Sequence, residues 1–503
     1  MYPNLFYKEA GIGIMKFKPE KIFSDKLEEF IQNYYNFLYL RDSGHSSSSN
    51  LGQLFKEYND LFDIENIAKS DDVHQADTIR LYNRLITFFI QEYRCSDIRN
   101  RLFYETSIKR IKINGRLTTL NNALASIKKT AKRADRFNSG TAYKTMILTL
   151  LPELNDLSET LNESATGLGH YNYLGLIEEN NNISIADIQK KCSNFLIDTE
   201  YMYRDLTKWY LNKYLDLNMD ALIYEDILFL YNSFEFHDHF KENRLLLKST
   251  SSLGEMGIYI DDGIHIHTAP GYNRCTYART YPVVIPGRIH ISVDKIRSIE
   301  DYISLYGELG TSLFMNSIDR EESFTNKRLI DSVSLHTFKS LFSRMVQENK
   351  WIDRYLKVKI DRNFNYFLAL RQLTFIRDLC IKIKLFSSVY LPNNLNYAIN
   401  EIDSEYRKNM YLKSNEAIVI SDILINHAEP YISFVAMLLA SFMEKYLVDK
   451  YDEQWWRDSG SGDDILRLWK TGAGLTQSQI ALLVNAGHLD SKHLVGKFEE
   501  VFQ

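Results

Sequence analysis

The chain has 503 residues and a formal net charge of −5, with 45% hydrophobic and 25% charged residues, the balance of a water-soluble globular protein rather than a disordered or fibrous one. Acids and bases are interspersed, so no basic field for nucleic acid stands out, and no apolar run reads as a membrane span. The 8 prolines favour long uninterrupted helices, because proline is excluded from helix interiors. Cys95, Cys192, Cys275 and Cys380 sit far apart without a CxxC spacing and read as reduced thiols. The first residues, MYPNLFYKEAGIGIMKF, lack the basic and apolar regions of a signal peptide, so the expected location is the cytoplasm.

From Pro19 to about Leu245 the pattern is helical: 26–40, 51–62, 76–93, 117–135 and a stretch from Tyr143 to about Glu163 all repeat apolar residues at three- and four-residue spacing. The serine run at 42–50 reads as a loop. Two short basic runs, KRIKINGR (109–116) and KKTAKR (128–133), read as solvated helix faces. His237 and His239, flanked by Phe234, Phe236 and Phe240, read as packing and capping residues. The single strand-like region begins at Met256. Over 257–293 apolar and polar residues alternate in two runs, with Pro270-Gly271 and Pro286-Gly287 as turn signals. His265 and His267 fall on one face of the first run, and His290 lies on a strand able to pair with it.

The stretch Ser298 to Ile318 follows. Ser298 is placed to cap a helix, and Leu305, Leu309 and Leu313 form an apolar stripe. The neighbouring face carries Ser304, Gly307, Glu308 and Thr311, a small polar strip with one carboxylate. Gly307 and Gly310 inside a helix cost roughly 1 kcal/mol each relative to alanine, which points to close packing or an inherited constraint. An amphipathic helix is expected over 324–346, and further helices near 353–386, 399–412 and 425–447.

The turn Glu308-Leu309-Gly310 resembles the H-E-L-G-H core of the zinc metallopeptidases of the thimet oligopeptidase and oligoendopeptidase F type. ATGLGHYNYLGLIEENN (165–181), PGRIHISV (286–293) and the tail from DEQWW resemble stretches of the same group, so the likeness covers about 60–503 and is strongest at 250–345 and 450–500. It implies a mainly α, neurolysin-like two-lobed fold around a deep groove with one small β-sheet. Its lobes would be 1–245 and 246–503, the second holding a β-region (256–293), the former zinc helix (299–317) and the C-terminal helices. The two metal-binding histidine positions fall on Gly307 and Thr311, and Glu308 takes the general-base position. Asp331 and Phe338 match the ends of the helix that gives the third ligand, which puts His336 at its glutamate position. His427 and Tyr431 resemble the oxyanion-stabilising pair. Arg274, Tyr277, Arg279, Tyr281, His265, His267 and His290 would line the groove.

Three functions stay open. The first is a catalytically degenerate member with no catalytic zinc, its groove holding a peptide or protein segment that pairs with an edge strand along 283–293. The second is a hydrolase with a rewired metal or metal-free site around Glu308, His336 and His427, with zinc entering only if His265, His267 and His290 converge on them. The third is a structural subunit of a complex. Neither nucleic acid nor membrane is an expected partner.

Overall fold

The computed structural model describes residues 21–44, 51–62, 76–113, 115–231, 236, 240, 242–268, 278–293, 298–390, 395–426 and 428–502. Arg274, Tyr277, Cys275, His427, His237 and His239 lie outside the described residues.

Helix α1 (Lys21–Asp42) buries Leu27, Phe30, Ile31, Tyr34 and Leu38, a stripe set by the three- and four-residue spacing. It packs with α2 (Leu51–Glu57) and α3 (Ala76–Arg94) around Phe30, whose ring centroid lies 5.4 Å from Phe55, 4.9 Å from Phe62 and 5.0 Å from Phe89. This aromatic cluster also takes in Tyr281, Leu329 and Ala473. A second, larger apolar cluster is continuous from Cys95 to Phe498.

The expected helix over 117–135 is a different structure. Ile111–Ile113 (β1) and Arg116–Thr118 (β2) form an antiparallel hairpin, then come α4 (Leu120–Lys129) and α5 (Arg133–Thr149). Thr119 decides where the helix starts: its hydroxyl accepts the Asn122 amide at 3.3 Å, and extended backbone at Thr130 ends the segment. The described residues therefore contain two small sheets, where the sequence reads one.

The second sheet comprises β3 (Ile264–Thr268), β4 (Arg279–Val284) and β5 (Arg288–Val293) in the order β3-β5-β4. Strand β5 is parallel to β3, with His265 opposite His290, and antiparallel to β4, with Tyr281 opposite His290. The expectation of a free edge along 283–293 is corrected here, because β5 is the central strand. The outer side of β4 is closed as well: Arg328 donates to the carbonyls of Pro282 (2.7 Å) and Val283 (2.8 Å) and pairs with Glu28 of α1 at 2.6 Å. Proline has no amide to offer a further strand, and Arg328 satisfies the carbonyls that would accept one.

Four long helices complete the frame around the sheet: α6 (Ile299–Asn316), α7 (Ser332–Met345), α8 (Arg362–Val389) and α9 (Glu429–Tyr451). Ser298 caps α6 as its sequence predicts, with Asp301 completing the reciprocal bonds. The expected 324–346 helix is broken, because Asp331 accepts the Ser334 amide at 2.9 Å and starts α7 afresh. Helix α9 is long and apolar enough for a membrane span by length and composition, a match the sequence reading did not make; 67% of its most apolar window is buried inside the protein.

Candidate functional site

Helix α6 buries Leu305, Leu309 and Leu313 as its stripe predicts, and α7 lies across its neighbouring face. The two glycines explain how closely. A Cβ on Gly307 would stand 2.4 Å from Ser343 Oγ and 3.3 Å from the Lys339 carbonyl oxygen; one on Gly310 would stand 2.7 Å from the Phe338 carbonyl oxygen. Backbone therefore meets backbone where any side chain would intervene. Ser343 fastens the contact by donating to the Ile303 carbonyl at 3.0 Å.

Glu308 projects from this seam and is nearly enclosed, its side chain 8% exposed, with Lys339 Nζ of α7 at 2.9 Å from Oε1. One turn before Lys339, His336 meets Glu429 of α9 with Nε2 to Oε1 at 2.9 Å, while its Nδ1 lies 2.8 Å from the Ser332 carbonyl oxygen. Both ring nitrogens thus face oxygen acceptors, a geometry satisfied by two N–H donors. Ser433 donates to the same Glu429 oxygen at 3.3 Å. Burial alone would raise the Glu429 pKa, but His336 and Lys339 outweigh it and hold the carboxyl well below the usual carboxylate range. Burial opposes the Lys339 ammonium too, yet Glu308 and Glu429 keep it above the ordinary lysine range. The four side chains form an alternating acid–base set at the junction of α6, α7 and α9. Sequence reasoning found Glu308 and His336 and missed Lys339 and Glu429; the available signal was Lys339 one turn after His336 on the same helix face.

The other sequence candidates lie elsewhere. Tyr431 is fully buried, its hydroxyl 3.0 Å from Ser387 Oγ and 3.3 Å from the Ile383 carbonyl, both on α8. Residues two apart on a helix point roughly 200° apart, so Tyr431 faces away from Glu429 and the junction. The expected oxyanion role is corrected to a core contact. Tyr281, expected to line a groove, is fully buried and donates to Asp42 Oδ2 of α1 at 3.0 Å; Arg279 is exposed and reaches the same oxygen at 3.1 Å. Thr311 bonds back to the Gly307 carbonyl at 3.2 Å.

The three histidines do meet, but not with Glu308. Strand alternation turns Ile264, Ile289 and Ile291 toward the large core and α6, and sends His265, His267 and His290 to the opposite face. There Tyr39 of α1 stacks on His290 with centroids 4.2 Å apart, and His267 Nε2 lies 3.2 Å from His290 Nδ1. Burial, with His265, His267 and Arg288 close by, pushes the His290 pKa down to about 4. The sheet thus stands between this cluster and α6, and a single site built from both sets is not present.

No protein-family model and no curated protein matches this sequence. Solved structures do. PZ peptidase A, determined with an inhibitor, superposes with a TM-score of 0.63 over 95% of this chain and 85% of its own, at 13% identity. A putative oligoendopeptidase F from Bacillus anthracis gives 0.62 over 99% and 85%, also at 13% identity. The M32 carboxypeptidase of Deinococcus radiodurans gives 0.58 over 96% and 98%, at 8% identity. This chain has the metallopeptidase fold. At such identities the likeness is one of architecture.

The zinc chemistry that the sequence resemblance implies needs three or four donors aimed at one point. Within this metallopeptidase fold Gly307 offers no donor and leaves no room for one, and the Thr311 hydroxyl is turned onto its own helix. Glu308 faces an ammonium, and His336 has both nitrogens engaged. The residues present do not fit zinc. Among the described residues no three His, Cys, Asp or Glu side chains are arranged to hold a metal ion.

Proposed function

We propose that this chain is a peptide- or protein-binding member of the metallopeptidase fold that does not perform zinc-dependent hydrolysis. The observation that carries this reading is the Lys339–Glu308 ion pair at 2.9 Å, in which a protein cation holds the carboxylate that the resemblance assigns as general base. A base that is already paired with an ammonium is poorly placed to take a proton from water. This weighs against the metal-free hydrolase around Glu308 and His336. Main-chain pairing remains the natural mode for an extended peptide, and among the described residues β3 is the strand left for it, since β5 is central and Arg328 closes β4. A purely structural subunit is the remaining alternative.

Three measurements on untagged protein decide among these readings: metal content by plasma mass spectrometry after dialysis against a weak chelator, binding to a library of extended peptides, and cleavage of the same library. The expected result is no retained metal, peptide binding that survives Glu308→Gln, and no cleavage. Near-stoichiometric zinc, iron or manganese, or cleavage that Glu308→Gln abolishes, overturns the proposal. Binding to no peptide favours the structural subunit.

A further inference from the structure

Charge is distributed very unevenly along this acidic chain. Between Arg94 and Arg133 there are eleven Lys and Arg against only Asp97 and Glu105, in a protein whose net charge is −5. The fold gathers the middle of this stretch at one place. The helical turn Tyr104–Ile108 leads into the β1–β2 hairpin, and Asn121 of α4 donates to Ser107 at 2.8 Å, tying the next helix onto that turn. Lys112 is exposed on the hairpin and Arg110 just before it, next to Lys109, which is exposed and pairs with Glu105 at 2.6 Å.

Apolar side chains stand among these cations. Leu117 is 69% exposed, Tyr104 52% and Ile108 41%. Leu117 is the cross-strand partner of Lys112, so the two share the outward face of the hairpin. At its tip Gly115 has φ +80°, and a Cβ there would meet nothing within 4 Å. Single exposed apolar residues are ordinary, but two aliphatics and a tyrosine set among cations on a projecting hairpin are a combination. A nucleic acid would use the cations and gain little from Leu117 and Ile108, since its bases stack on aromatic platforms. A bilayer with anionic headgroups uses all of them: cations at the phosphates, Tyr104 at the interface, and the aliphatics at the acyl boundary.

We propose that the β1–β2 hairpin and the turn before it dock reversibly on the surface of a membrane containing anionic lipid. The proposal departs from the sequence expectation of two solvated helix faces and no membrane partner.

The test is sedimentation of the full chain with phosphatidylcholine vesicles, with and without phosphatidylserine, alongside fluorescence anisotropy with single-stranded oligouridine. Serine-lipid vesicles are expected to bind and pure phosphatidylcholine not to. Each cation near such a surface contributes about fivefold, so Arg110→Glu with Lys112→Glu should weaken vesicle binding more than tenfold. Leu117→Ser, which leaves the charge intact, should weaken it several-fold. All three positions are exposed, and unchanged thermal unfolding verifies that the variants fold. Equal binding to both vesicles, no vesicle binding, or oligouridine binding lost in the charge-reversed variant without vesicle binding each overturns the proposal.

Discussion

Two clusters of titratable side chains lie on opposite sides of one three-stranded sheet, and the fold treats them in opposite ways. At the α6–α7–α9 junction, Glu308, Lys339, His336 and Glu429 alternate in sign, so each charge has a counter-charge within hydrogen-bonding distance. On the other face, His265, His267 and His290 lie against one another, with the Tyr39 ring and Arg288 beside His290, and among the described residues no carboxylate is paired with His290. At the junction the surroundings favour the charged forms of Glu429 and Lys339, and on the other face they favour neutral His290. Histidine chemistry is therefore set by which helix covers it, α7 with its neighbours on one side or α1 on the other.

The comparison depends on the sheet being clamped between these layers, and the largest expected effect comes from loosening the clamp. Arg328→Met strands Glu28 and two carbonyls of β4 and should cost about 3–5 kcal/mol in urea unfolding. A midpoint close to the parent protein's would mean that α1 is held without it. Next comes the seam on the charged side. Gly310→Val drives a side chain against the Phe338 carbonyl, where even a Cβ would stand 2.7 Å away, and should cost about 2–3 kcal/mol. A neutral result would show that α6 and α7 are free to move apart.

The third effect separates the two faces by pH. His290 titrates at about 4 in the folded protein against 6.5 for an ordinary histidine. The unfolded chain therefore binds a proton below 6.5 that the folded chain refuses until about 4, and stability falls across that window as pH falls. The shift corresponds to roughly 3 kcal/mol, reduced to about 2 by partial solvent exposure. Glu429, held below the usual carboxylate range, contributes stability that persists above that range and is lost only at lower pH. His290→Asn should flatten unfolding free energy between pH 6.5 and 4; an unchanged slope would sever the link between this face and acid sensitivity.

Much of the frame was legible beforehand. The 22-residue helix Lys21–Asp42 and the 18-residue α6 with its leucine stripe follow from apolar periodicity, and the Ser298 cap from side-chain chemistry. The β1–β2 hairpin was missed although its signal is local: Asn114-Gly115 sits between the alternating runs Ile111-Lys112-Ile113 and Arg116-Leu117-Thr118. Its basic residues drew attention as charge, which obscured the alternation.

Sequence alone determined the helical class, the stretches around Glu308 and the need for small residues at Gly307 and Gly310, because periodicity, caps and backbone freedom act within a few residues of chain. Only the tertiary structure decided that Lys339 would meet Glu308, that Glu429 would meet His336, and that the sheet would part the three histidines from both pairs. Ion pairing and burial depend on distances in space between groups as far apart in the chain as Glu28 and Arg328, 300 positions, and no local pattern encodes those distances.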